Sequence, residues 1–298
     1  MEGKLYPDQN REHVFKLLSR CKDILDLPPV MKGVLEVTSG KNSSASNLIT
    51  LIERDQVLSA GIIAMANSPY FGFSKKVTAV SNAVALLGFQ EIRNLALSIS
   101  VVRFFDQKGS DFQDKLWKHS YAVGVATRMV AGHFKLKIEG KLFVAGLLHD
   151  IGKIFLCEYL PAKFKEMLSI LEKNDSKITY HALEKAFFGT SHGDVALRLL
   201  ETWKFPQDIT EAVSWHHEPS KAQSDQVLAA CVHLADLICT YKSLSPLGDR
   251  HFLCLQKEIL PVFQKLKESF SSEDVRALMG QLDLEIDRQS IFVSAYKR

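Results

Sequence analysis

The chain has 298 residues, 46% of them apolar and 24% charged, which is enough to bury a large core in one large domain or two and excludes a disordered chain. Lys and Arg number 37 against 34 Asp and Glu, and the resulting net charge of +3 gives no electrostatic footprint for nucleic acid or membrane. Cysteines at 21, 157, 231, 239 and 254 form no C-x-x-C pair, the polar start does not read as a signal peptide, and no apolar run is long enough to span a bilayer, so a cytoplasmic protein with reduced thiols is expected.

In chain order, residues 11–26 carry Val14, Leu17, Leu18, Cys21, Ile24 and Leu25 at helical spacing, stopping before Leu27-Pro28-Pro29. A helix from Val30 to Val37 is broken by the stretch Thr38 to Ser44. Ser46 is the candidate cap of a helix from Leu48 to about Arg54, and Asp55 caps the next, whose residues Leu58, Ile62, Ile63, Met65 and Ala66 end at Asn67-Ser68-Pro69. Beyond the turn Tyr70-Phe71-Gly72-Phe73, apolar residues continue at Val84, Leu86 and Leu87, then after Gly88 at Ile92, Leu95, Ala96, Ile99 and Val102. Nothing here reads as a strand, a Gly-rich phosphate loop or a ligand cluster.

This half is similar to the HDOD family, bacterial output-domain relatives of the HD phosphohydrolases. The similarity rests on Leu27-Pro28-Pro29, on Asp55 through Ala66-Asn67-Ser68-Pro69-Tyr70-Phe71-Gly72, and on Val77, Val80, Ala83, Leu86-Leu87-Gly88-Phe89 and Ile92-Arg93. It runs from about residue 20 to about residue 240. The resemblance implies an all-α, multi-helix bundle and a role in bacterial signalling or regulation, without implying catalysis.

The second half carries the chemistry. Eight of the ten histidines lie between His119 and His233, where even scattering would give about four. The buried-type run Phe143 to Leu148 ends in His149-Asp150, followed by Gly152; at a helix end both side chains can converge on one cation, or His149 can meet free carbonyls while Asp150 caps the next helix. His119 shares a face with Ala122, Val123, Ala126 and Val130, a pattern that also suits a hydrogen-bonded core histidine. His192 opens a helix that Ser191 or Thr190 can cap, and His216-His217 ends the run from Ile209 to Trp215, where paired imidazoles favour a metal. Between Val227 and Cys239 the only polar side chains are His233 and Asp236, and a carboxylate there needs a cation, either a metal or a Lys or Arg from another helix. His133, near a helix C-terminus, His181, preceding a helix, and His233, one turn before Asp236, are left outside the ligand set.

Taken together, His119, His149-Asp150, His192, His216-His217 and Asp236 resemble the H…HD…H…HH…D series of the HD superfamily, which in HD-GYP phosphodiesterases holds two metal ions. The resemblance makes His119, His149, Asp150 and Asp236 the one-metal set, His192, His216 and His217 the additional ligands, Asp150 the bridging and catalytic carboxylate, and Lys153 a lysine near a substrate phosphate; a solvated surface lysine is the other reading of that position. The chain departs from HD-GYP in having Phe155-Leu-Cys-Glu-Tyr-Leu-Pro161 in place of the Gly-Tyr-Pro segment, and Lys115 where some members have an acidic ligand. Two divalent ions are expected, with Fe, Mn, Co and Ni fitting the mixed imidazole and carboxylate set at least as well as Zn. The alternatives are a regulatory metal-binding module that docks on a signalling kinase or phosphatase, or a phosphohydrolase acting on a nucleotide or phosphate ester. The expected organisation is a helical subdomain over 1–110, a metal-binding subdomain over 111–242 and C-terminal helices over 243–298 that pack back on the bundle.

Overall fold

The computed structural model describes residues 7–21, 29–39, 43–67, 73, 75–106, 111–136, 140–173, 180–242, 244 and 259–282. Every long regular element among them is an α-helix, as the apolar periodicity predicts. The first half comprises α1 (Pro7–Arg20), α2 (Pro29–Ser39), α3 (Ala45–Glu53), α4 (Gln56–Ala66), α5 (Val80–Leu87) and α6 (Phe89–Asp106). Then come α7 (Asp111–His133), α8 (Gly140–Leu148), α9 (Ile151–Tyr159), α10 (Pro161–Lys173), α11 (Tyr180–Phe188), α12 (His192–Thr202), α13 (Gln207–Ser214), a 3-10 turn at Pro219–Lys221, α14 (Gln226–Tyr241), α15 (Leu260–Leu266) and α16 (272–282).

The caps show where local chemistry decides. Asp55 opens α4 by accepting from the Leu58 N–H at 2.9 Å and also pairs with Arg103 at 2.9 Å, which ties α4 to α6. The cap of α3 is Ser44 rather than Ser46: its Oγ accepts from the Asn47 N–H at 3.1 Å, and Ser46 already lies inside the first turn. Asn67, which ends α4, acts as a clamp across ten residues. Its Nδ2 donates to the carbonyls of Ile63 (2.9 Å) and Val77 (2.6 Å), and its Oδ1 accepts from the Val77 N–H at 2.7 Å. Leu27-Pro28, residues 68–72, Gly109-Ser110 and residues 245–258 lie outside the described residues.

One apolar core runs from Val14 to Val232 and crosses from the first half to the second without interruption. Its centre is α8, in which every residue except Lys141 is buried, enclosed by α6, α7, α13 and α14. A second cluster joins Phe134 at the end of α7 to Phe263, Phe270, Leu278 and Leu282, so α15 and α16 lie against α7 and α14. Among the described residues, no helix is long and apolar enough to cross a membrane.

Candidate metal centre

The apolar α8 stops at Leu148, and the chain turns through His149 and Asp150 before α9 begins. Asp150 occupies the N-cap position of α9, yet its side chain makes no capping hydrogen bond and faces inward, fully buried. His149 donates from Nδ1 to the Gly146 carbonyl at 2.8 Å, the contact with a helix-end carbonyl that the sequence allows. The consequence is chemical: Nδ1 is taken up by the carbonyl, so Nε2 is the nitrogen that faces the cluster and is left for a metal.

Two glycines bring the other turns to this corner. A Cβ on Gly152 would stand 2.0 Å from the His192 carbonyl oxygen, and one on Gly193 would stand 2.3 Å from the Ser214 carbonyl oxygen. The start of α12 can therefore press against both α9 and the end of α13. Ser191 caps α12 in a reciprocal box with Asp194, so His192 sits in the first turn with a set backbone. At the end of α13 the His216 Nδ1 donates to the Val213 carbonyl at 2.6 Å, the same device as at His149.

The remaining pair faces across two helices. His119 on α7 places Nε2 at 3.1 Å from Oδ1 of Asp236 on α14 and 3.9 Å from Oδ2 of Asp150. The His149 Nε2 lies 3.3 Å from Asp150 Oδ2 and 3.7 Å from Asp236 Oδ1. On its other side Asp150 presents Oδ1 at 3.5 Å from His192 Nε2, which in turn is 3.4 Å from His216 Nε2 and 3.1 Å from His217 Nε2. All seven residues singled out from the sequence thus meet in one place. Their ligand atoms fall into three sets, each drawn together within 4.8 Å: His119, His149 and Asp150; His149, His216 and Asp236; and His192, His216 and His217.

The electrostatics suit a ligand shell. Burial pushes His192 down to about 3, with the charge of Lys153 adding to the effect, and burial followed by neighbouring imidazoles holds His216 and His217 well below the usual range, so all three are neutral. For Asp150, burial alone would raise the carboxyl, but the charges of His149 and Lys153 outweigh it and hold the group well below its usual range. Against its own burial, His149 is in turn held above its usual range by Asp150, so a metal at its Nε2 would displace a proton. Lys153 is not a solvated surface lysine: it is buried, its Nζ donates to Asp150 Oδ2 at 2.9 Å, and it stands 4.7 Å from the centre of the Tyr180 ring.

Three observations test whether the residues fit a metal. Asp150 Oδ1 is buried without a hydrogen-bond partner. The Nε2 lone pairs of His192 and His216 face each other at 3.4 Å with both protons committed elsewhere, an arrangement that repels unless positive charge lies between them. The donor set, five imidazoles and two carboxylates, is that of divalent transition-metal sites. These His and Asp groups fit a metal.

Four further residues, three of them beside the cluster, lie outside the ligand set expected from the sequence. Glu184, fully buried on α11, accepts from both the backbone N–H and the Nδ1 of His192 at 2.8 Å. Its signal was present in the sequence, since Tyr180, Leu183, Glu184, Phe187 and Phe188 occupy one helical stripe and an acid there needs a partner. His181 lies with Glu184 and His192 in a further group of possible ligand atoms. His233 donates from Nδ1 to the His216 carbonyl at 2.7 Å, which ties α14 to the 216–217 corner. His133 bonds Asp274 at 2.8 Å, away from the cluster.

A family model described as HDOD domain matches residues 24–219. A curated relative, an uncharacterized protein of Treponema pallidum (strain Nichols), is 21% identical over 271 residues, 90% of this chain and 52% of that protein, so the chain spans about half the length of that relative. Among solved structures, an HDOD domain protein of unknown function from Geobacter sulfurreducens is similar with a TM-score of 0.76 at 21% identity, over 97% of this chain and 98% of that one. A candidate phosphohydrolase from Shewanella amazonensis SB2B is similar with a TM-score of 0.68 at 20% identity, over 94% of this chain and 97% of that one. At such identities the likeness establishes a shared helical fold.

Proposed function

The chain belongs to the HDOD domain family, and from that premise we propose that it is a bacterial signalling or regulatory protein holding two divalent metal ions at His119, His149, Asp150, His192, His216, His217 and Asp236. The observation that carries this reading is the apposition of the His192 and His216 Nε2 lone pairs at 3.4 Å beside the unpartnered Asp150 Oδ1. Asp150 turns one oxygen toward His119 and His149 and the other toward His192, which supports a bridging role. His149 and His216 are each pinned through Nδ1 to a carbonyl three residues earlier, so their rings are preset before any ion arrives. Fe, Mn, Co, Ni and Zn all suit this donor set.

Burial favours the regulatory role over turnover. His119, His149, Asp150, His192 and His216 are each 0–1% exposed, and the Lys153 ammonium is committed to Asp150. A bundle of this kind would act by docking on a signalling kinase or phosphatase. The second reading is a phosphohydrolase acting on a nucleotide or phosphate ester, favoured by the Asp236 side chain, which is 17% exposed and gives the cluster an edge toward solvent. Bound divalent metal would supply Lewis acidity toward a phosphoryl oxygen. In that case Lys153 would hold Asp150 ionised and its charge would lie close to the phosphate.

Elemental analysis of protein purified without a chelating column tests the proposal. Two equivalents of metal per chain are expected, and fewer than one after reconstitution would overturn it. Metal-dependent turnover of phosphate esters would select the second reading.

A further inference from the structure

We infer that Glu184 is a positioning residue for this centre: its carboxylate sets the tautomer and the angle of the His192 ring, so that Nε2 is delivered as a bare lone pair. The inference rests on the metal-binding reading above and deepens it. Glu184 Oε2 accepts two hydrogen bonds of 2.8 Å, and both donors belong to His192, one from its backbone and one from its ring. The carboxylate therefore clamps the main chain and the imidazole of one residue at once. Its other oxygen, Oε1, is buried and has no hydrogen-bond partner.

Helix capping alone does not explain the arrangement. Ser191 and Asp194 already form a capping box at the start of α12, and an acceptor for the first N–H would have no need to reach the ring as well. A carboxylate at this position in the Tyr180, Leu183, Phe187 and Phe188 stripe carries a desolvation cost, and its hydrogen bonds go to His192. Gly152 and Gly193 hold the backbone of the same turn against α9 and α13, leaving the ring torsion and the proton position to Glu184. A carboxylate hydrogen-bonded to the far nitrogen of a ligating imidazole both orients it and raises its basicity.

The test uses the full chain and two readouts. In the metal-free protein, long-range nitrogen–proton NMR of the His192 ring should report the Nδ1–H tautomer for the wild type and for E184Q, whose amide oxygen still accepts, and a shift toward Nε2–H for E184A. Competition with a chromophoric chelator for manganese or zinc should show affinity lowered by about 10–100-fold in E184A and largely restored in E184Q. E184L keeps the volume without the acceptor and replaces E184A where the smaller variant fails to fold. A folded E184A or E184L that retains the wild-type tautomer and affinity overturns the inference, as does an E184Q that loses both. A wild type that binds no metal overturns the earlier reading, while the tautomer measurement still decides this one.

Discussion

Lys153 sets its ammonium 2.9 Å from the Asp150 carboxylate, three residues earlier in the chain, and both side chains are buried. The pair spans the first turn of α9, so the chain carries its own counter-ion for the carboxylate at the middle of the cluster. A buried carboxylate stripped of its partner costs about 3–5 kcal/mol. K153M leaves His149 beside Asp150 and should therefore destabilise the metal-free protein by up to about that amount, while metal binding, which supplies a new partner, should recover much of the loss. Thermal melts of wild type and K153M with and without EDTA measure this; equal losses in both conditions would count against it.

Asp150 turns one oxygen to each side of the cluster. Asp150→Ala should reduce metal content to less than one equivalent per chain and abolish any phosphoester hydrolysis, by elemental analysis and assay. Retention of two equivalents would rule out the bridging role proposed for Asp150.

Metal that binds only the folded chain must stabilise it, by about 2.7 kcal/mol at a hundredfold excess over the dissociation constant. Chelation should lower the melting temperature of the wild type, and re-addition of one of the divalent ions should restore it. A melting temperature indifferent to chelator would mean that the ligand set holds nothing.

Gly152 has no room for a methyl group, because a Cβ would lie 2.0 Å from the His192 carbonyl oxygen. The obstacle is backbone and cannot rotate away. G152A should cost about 1–3 kcal/mol of stability, as overpacking does, and weaken metal binding by moving His192 away from Asp150. Denaturant unfolding together with chelator competition checks both; loss of stability with unchanged affinity would separate the fold from the site.

In the first half, Asn67 ties the end of α4 to Val77 with three side-chain hydrogen bonds. At about 0.5–1.5 kcal/mol each, N67A should cost about 1.5–4.5 kcal/mol in denaturant unfolding while leaving metal content unchanged. A neutral substitution would show that the clamp contributes only shape.

Asp274 gives the pH dependence. The hydrogen bond from Lys267 comes first among the causes that hold its carboxyl down to about 2, with the Ser271 N–H and His133 adding to it. An ordinary Asp titrates at about 3.9 in the unfolded chain. The folded-state value is depressed, so this contribution is present in full above about pH 4 and is lost as pH falls toward 2. The stability gap between wild type and D274N should be constant at neutral pH and close over that acid window. A gap that persists down to pH 2 would assign it to packing.

Much of this was legible along the chain. The all-helical character follows from apolar spacing, the Asp55 cap from a carboxylate three residues before an open N–H, and the interest of Asp236 from a charge with no polar neighbours on an apolar helix. The same reasoning applies to Glu184, whose stripe of Tyr180, Leu183, Phe187 and Phe188 marks it equally, although its partner His192 lies on the next helix. The burial of Lys153 was not legible, because four methylenes and an ammonium suit a surface as well as a pocket.

The sequence alone determined which segments coil and which side chains are able to ligate, since both depend on the residue itself and on neighbours within a turn. Tertiary structure alone decided that the corners at 149–150, 192 and 216–217 meet, through backbone approaches open only to Gly152 and Gly193. It also decided which imidazole nitrogen faces the cluster, because the other one goes to whichever carbonyl or carboxylate folding brings beside the ring, Gly146, Val213 or Glu184.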